Sequence, residues 1–122
     1  MTESTLNVAL AQIAPVWLNR AATTDKIADW IRNAGREGAD LVCFGEALLP
    51  GYPFWVERTD GARFESAFQK RIYAHYVEQS VVIERGDLDP LCAAAAESGT
   101  AAYVGTMERA GNRGGHSLYC SM

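Results

Sequence analysis

Positions 44–55 read FGEALLPGYPFW. Glu46 stands directly after a short apolar run and is followed by a Pro-Gly-Tyr-Pro turn that carries Tyr52, Phe54 and Trp55. An acid at the C-terminal end of a parallel strand lies at the edge where open α/β sheets bind their ligands. Rings around such a carboxylate exclude water, and a desolvated carboxylate is a better general base near neutral pH. A structural role is equally consistent with the spacing: Glu46 could pair with a nearby cation such as Arg58. Both readings stay open on residue types alone.

The other chemistry-bearing residues read as structural. Cys43 lies in an apolar strand, Cys92 in an Ala-rich helix and Cys120 in the last strand-like run. Burial makes a thiol inert, and all three are expected to be small core residues. His75 falls on a helix and His116 in a polar turn, neither with metal-ligand spacing, so no metal site is expected. Lys26 and Lys70 are the only lysines and fall on the polar faces of amphipathic helices. Gly111, Gly114 and Gly115 follow one strand and lead into another. A phosphate loop needs a helix N-terminus at that point, so these glycines read as a hairpin turn.

The elements that must position Glu46 follow from the hydrophobic pattern. Residues 6–14 are short and apolar, with Gln12 the polar exception, and predict a buried strand. Residues 24–37 predict a helix whose inner face is Ile27, Trp30, Ile31 and Ala34. Thr23 or Thr24 serves as its N-cap, Asp25 sits in its first turn and Gly38 takes the C-terminal cap. Gly35 weakens the last turn by about 1 kcal/mol relative to Ala. Residues 39–45 predict a second strand, parallel to the first through a right-handed crossover. Apolarity without alternation predicts a sheet covered on both faces.

Residues 46–62 read as loop. Phe64, Phe68, Ile72 and Tyr76, spaced by four, predict a helix that fades near 80–82. In DLDPLCAAAAESG, Asp89 is the expected N-cap, Pro90 the first helical residue and Gly99 the terminator. Residues 101–107 predict a third strand, 108–117 a glycine-rich turn and 118–122 the start of a fourth strand, antiparallel to the third. The chain ends inside that strand, as a truncated domain would. Uncovered edges and apolar surface then predict aggregation or marginal stability of the isolated chain.

Bulk properties narrow the function classes. The 122 residues suit one domain, and 48% hydrophobic with 21% charged residues is ordinary for a globular chain. The net charge is −4, with the 11 Lys and Arg scattered, which argues against a nucleic-acid or anionic-membrane surface. The N-terminal MTESTLNVAL lacks a basic region and a long apolar core, so no signal peptide is expected. No apolar run reaches the roughly 18 residues needed to span a bilayer. Three widely spaced cysteines predict no disulfide framework and a reducing, cytoplasmic setting.

Four segments in order, NVALAQIAP, ADLVCFGEALLPGYPFW, AAYVGTMER and GGHSLYCSM, resemble the N-terminal part of the nitrilase branch of the carbon–nitrogen hydrolase superfamily. The resemblance covers essentially the whole chain, and GEALLPGYPFW is its most specific part. It implies an α/β fold, here a partial α-β-β-α sandwich truncated after about the fourth strand, with residues 1–122 the N-terminal part of one domain. It implies a Glu-Lys-Cys triad in which Glu46 is the general base, with Tyr52 and Trp55 at or near the substrate pocket. The matching lysine and nucleophilic cysteine would lie beyond Met122, so Cys120, Lys26 and Lys70 are not triad members. The implied activity is hydrolysis of a small-molecule organic nitrile to a carboxylic acid and ammonia, without metal or organic cofactor. The implied assembly is a homo-oligomer, from dimer to spiral. The alternatives are an amidase of the same superfamily, or a truncated non-catalytic chain that binds a full-length subunit.

Overall fold

Strand β1 (Val8–Ala11), helix α1 (Arg20–Arg36) and strand β2 (Leu41–Phe44) form the expected β-α-β unit in the computed structural model, which describes residues 3–112 and 114–122. Helix α4 (Asp89–Ser98) then leads into β3 (Ala101–Tyr103), and the three strands make a parallel sheet in the order β1-β2-β3. Between β2 and α4 lie a single helical turn, α2 (Trp55–Arg58), and helix α3 (Ala67–Gln79).

Register explains the core. Ala9, Val42 and Ala102 stand abreast, so one face of the sheet carries Ala9, Ala11, Val42, Phe44 and Ala102. Ile27, Ile31 and Ala34 of α1, with Leu91 and Ala94 of α4, pack against that face. Ile27 and Ile31 are completely buried, each contributing about 1.5–3 kcal/mol. The two helices approach closely at Gly35, opposite Ser98 and Thr100. Gly35, expected only to weaken α1, leaves room for the end of α4: a Cβ there would stand 2.7 Å from Ser98 Cβ. The opposite sheet face carries Val8, Leu10, Cys43 and Tyr103, and Leu10 is 77% exposed. The expectation of a sheet covered on both faces is therefore corrected: among the described residues helices cover one face only.

Several boundaries move for identifiable reasons. Helix α1 begins at Arg20, because the Asn19 side chain accepts from the Ala22 N–H at 3.0 Å and caps the helix a turn early. Thr23 and Thr24, expected as caps, are buried inside the helix, and Asp25 lies past its first turn. Trp30, expected on the core face, is exposed. Gly38 and Gly99 take left-handed φ values of +81° and +66° just past α1 and at the end of α4, as expected. The cap of α4 is Leu88 rather than Asp89, which is the first helical residue. Ser66 caps α3, so Phe64 lies outside it, and Phe64 and Phe68 are exposed while Tyr76 is buried.

The single strand expected over 101–107 is two strands in two sheets. The parallel sheet loses the chain after Tyr103, and β4 (Thr106–Arg109) pairs antiparallel with β5 (Leu118–Ser121). The described strands number five rather than four. The hairpin itself is as expected, with Met107 opposite Cys120. Ser117 N–H donates to the Gly114 carbonyl at 2.8 Å in the turn, of which Arg113 lies outside the described residues. A second core joins Leu18, Trp55 and Tyr76 to Ile72, Met107 and Leu118.

Asp87 ties three elements together. Its carboxylate accepts from the Val82 N–H at 2.9 Å and from Arg85 Nε at 3.0 Å, and lies 3.6 Å from Arg20 at the start of α1. Arg20 in turn donates to the Glu78 carbonyl at the end of α3. Burial acts to raise the Asp87 pKa, but the bonds from Arg85 and Val82 and the charges of Arg20 and Arg85 outweigh it and hold the carboxyl below its usual range. A depressed folded-state pKa contributes stability above the unfolded value of about 3.9, and that stability is lost as pH falls through the lower folded value. Asp87→Ala is therefore expected to cost about 2 kcal/mol at pH 7, with the gap from the native chain narrowing below about pH 4. Urea unfolding at pH 7 and pH 3 measures this; a gap unchanged at acid pH would assign the loss to packing.

Candidate active site around Glu46

Glu46 lies just past β2, the central strand of the parallel sheet, at its C-terminal end. The chain reverses immediately after it. Ala47 takes a left-handed φ of +50° and is buried, which costs about 1 kcal/mol that the surrounding contacts must offset. Those contacts come from four directions. Leu49, fully buried, donates its N–H to the Gly105 carbonyl at 3.2 Å, and its carbonyl accepts from the Met107 N–H at 2.8 Å. Leu18 N–H donates to the Pro50 carbonyl at 2.9 Å. The Tyr76 hydroxyl donates to the Gly51 carbonyl at 2.8 Å, and Trp17 Nε1 donates to the Tyr52 carbonyl at 2.9 Å.

Two glycines are required by these approaches. Gly51 has a φ of +136°, and a Cβ there would stand 2.6 Å from Trp17 Cδ1. A Cβ at Gly105 would stand 2.3 Å from the Gly45 carbonyl oxygen and 2.8 Å from Glu46 Cα. Gly105 thus lets the chain cross from one sheet to the other while the backbone that carries Glu46 lies against it. Burial, with Cys120 and Tyr52 acting in the same direction, pushes the Tyr76 hydroxyl far above the ordinary tyrosine range. It remains a protonated donor to Gly51 at any physiological pH.

The rings divide into two groups. Trp55 is buried, edge-on to Tyr76 at 4.7 Å between centroids and 6.5 Å from Trp17. Tyr52 and Phe54 are exposed and pair at 5.1 Å. The Arg58 guanidinium lies over the Phe54 ring at 5.4 Å, and no ion pair to Glu46 occurs among the described residues. Glu46 itself is exposed, so the rings of this chain do not by themselves desolvate it.

A contact absent from the sequence reading lies at this carboxylate. Cys120 of β5 is exposed rather than a core residue, and its thiol donates to Glu46 Oε1 at 3.5 Å. Desolvation, the bond to Glu46 and the carboxylate's charge push this thiol up, which keeps it protonated. Cys92 is also exposed, and Cys43 is half-buried on the open sheet face, so the expectation of three core cysteines is corrected. Cys43 lies on the uncovered sheet face, and Cys92 borders the open cavity between α4 and the hairpin.

The remaining candidates sit elsewhere. Lys26 donates to the Ala14 carbonyl at 2.7 Å and Lys70 pairs with Glu65 at 2.5 Å, so neither cation is engaged with Glu46. His75 Nε2 lies 3.0 Å from the Leu18 carbonyl, a satisfied surface histidine. His116 is exposed in the hairpin turn. A cavity of about 260 Å³ between α4 and the hairpin is lined by Leu88, Leu91, Val104 and Met122 and does not include Glu46. Among the described residues no helix is long and apolar enough to cross a membrane.

The family model for carbon-nitrogen hydrolase matches residues 7–122. The chain belongs to the carbon–nitrogen hydrolase family. It is 39% identical over 118 residues to Nitrilase 2 from an unknown prokaryotic organism, covering 96% of this chain and 35% of that protein. It is 35% identical over 118 residues to an aliphatic nitrilase of Rhodococcus rhodochrous, covering 95% of this chain and 30% of that protein. An arylacetonitrilase of Aspergillus oryzae is 31% identical over 118 residues, covering 97% of this chain and 32% of that protein. This carbon–nitrogen hydrolase chain spans about a third of the length of these relatives. Its open carboxylate on a pinned loop can accept a proton from a donor brought to the strand end.

Proposed function

We propose that residues 1–122 are the N-terminal part of a nitrilase domain and that Glu46 is its general base. One observation carries the reading: an open carboxylate stands at the C-terminal end of the central parallel strand, on a loop fixed by Gly105, Leu18, Tyr76 and Trp17. The names of the relatives support a nitrile as substrate over an amide. In the complete domain a cysteine thiolate from outside these residues attacks the nitrile carbon and forms a C–S bond, giving a thioimidate. Glu46 accepts the thiol proton and delivers it to the nitrile nitrogen, and is then free to take a proton from each attacking water and pass it to the leaving nitrogen or thiolate. Water adds to the thioimidate carbon, ammonia leaves, and a second water cleaves the resulting thioester to release the carboxylic acid. A lysine from outside these residues stabilises the developing charge. The half-open Tyr52 ring borders the substrate, and Trp55 backs it from the second core. The open sheet face with Val8, Leu10 and Tyr103 is the surface on which the second sheet of the sandwich packs. The complete enzyme is a cytoplasmic homo-oligomer.

Lys26 and Lys70 both lie away from Glu46, which supports a further part of the reading: these 122 residues alone do not turn over substrate. The test compares ammonia release from a nitrile and from its matching amide, with the full-length enzyme and with this chain. The full-length enzyme is expected to release ammonia from the nitrile, with the amide far slower, and the isolated chain from neither. Faster release from the amide would make the protein an amidase of the same family.

A further inference from the structure

We propose that Cys120 is a positioning residue for the base: its thiol hydrogen bond to Glu46 Oε1 fixes the direction in which the carboxylate points. This rests on the assignment of Glu46 as the base. Backbone contacts hold the Glu46 loop firmly, but the side chain projects into the open. An exposed glutamate samples several rotamers, and a general base works only within hydrogen-bond reach of its proton. Among the described residues the Cys120 thiol makes the one side-chain hydrogen bond to Glu46. The contact joins the two sheets, since Glu46 follows β2 of the parallel sheet and Cys120 belongs to β5 of the hairpin.

The surroundings suit a neutral donor. Opposite Cys120 across the hairpin stands uncharged Met107. Tyr76 of α3 is close enough to Cys120 and Tyr52 to feel both, and Arg109 shares the strand face of Met107 and Cys120. Glu108 of β4 is turned to the hydroxyl of Ser121, which donates to it at 2.9 Å on the opposite face of the strand. A protonated thiol donates to one carboxylate oxygen and leaves the second oxygen, and the remaining lone pairs of the first, free to accept the proton of the reaction. Cys120 thereby acts through Glu46 and forms no bond to substrate.

Two measurements test this. In the full-length enzyme, the pH dependence of iodoacetamide alkylation at Cys120 is followed by peptide mass spectrometry, with Cys92 as internal control. Glu46→Gln removes the carboxylate charge, so Cys120 is expected to alkylate severalfold faster at pH 8 while Cys92 is unchanged. Equal rates at Cys120 in both chains would overturn the contact. In the full-length enzyme, Cys120→Ala and Cys120→Val are each expected to lower kcat by about 10- to 100-fold with little change in KM, the scale of a misplaced catalytic group. Cys120→Ser keeps a donor and is expected to recover most of the loss. Recovery by Val but not by Ser would identify a packing role and overturn the proposal. Full turnover in Glu46→Gln, with the alkylation response intact, would leave the contact real but remove the base, and the positioning role with it.

Discussion

Glu46→Gln in the full-length enzyme is expected to lower ammonia release from a nitrile by at least about 10²- to 10⁴-fold, the contribution of a positioned general base. Two features make this substitution clean. Gln keeps the length and shape of the side chain while removing its basicity. The Glu46 side chain is exposed and engages only the Cys120 thiol among the described residues, so the fold does not depend on its charge. Stability should stay within about 0.5 kcal/mol of the native protein, as for a surface change away from the core. KM should change little, because a general base, the role proposed for Glu46, acts on protons in the reaction and does not hold the bound substrate. The measurement pairs a steady-state assay with urea unfolding of the same preparations. Near-native ammonia release from a folded Glu46→Gln enzyme would refute the base assignment. A loss of activity accompanied by a loss of stability would instead point to a structural acid, the reading that the sequence left open with Arg58.

The strand that leads to Glu46 was legible because its information is local. The apolar runs at 6–14 and 39–45, the Ala-rich segment after Pro90 and the glycines at 38 and 99 each act on their own neighbourhood, and each produces the expected element. What escaped depends on contacts distant in sequence. Asn19 starts α1 early because a polar side chain one residue before a helix satisfies its free N–H groups, and the sequence reading placed the cap only at Thr23 or Thr24. The face of a strand that stays open cannot be read from apolarity, since Val8 and Leu10 are as apolar as the buried Val42. Cys120 looked like core because strand cysteines usually are. Its meeting with Glu46 across 74 positions is set by the pairing of β4 with β5 and by the docking of the Glu46 loop on Gly105. Tyr76 was legible as an inward residue of its helix, but the hydroxyl bond to Gly51 was not. Gly105 did carry a signal: an isolated glycine within an apolar strand marks a bulge or a close backbone approach.

That approach makes Gly105→Ala the substitution with the largest expected structural effect. The atoms its methyl would meet are the Gly45 carbonyl oxygen at 2.3 Å and Ala47 N and Glu46 Cα at 2.8 Å. All three belong to the main chain, so no side chain can rotate aside and the backbone of one segment must move. The segments are also hydrogen-bonded to each other, through Leu49 N–H to the Gly105 carbonyl and Met107 N–H to the Leu49 carbonyl. Moving them apart stretches these bonds and uncovers Leu49, which is fully buried. Overpacking against fixed main chain is expected to cost about 3 kcal/mol or more. It should also displace the Glu46 backbone, and shifts of about 1 Å at catalytic groups can lower rates by about 10²-fold. Gly115→Ala is the control, since a methyl there meets nothing within 4 Å, and it should stay within about 0.5 kcal/mol of native. Urea midpoints of the three chains, read beside ammonia release from the corresponding full-length enzymes, separate the cases. If Gly105→Ala unfolds with the native chain, the two sheets do not meet at Glu46 as described. If it loses both stability and turnover while Gly115→Ala keeps both, the glycine between β3 and β4 is what allows the parallel sheet to present its acid beside the hairpin.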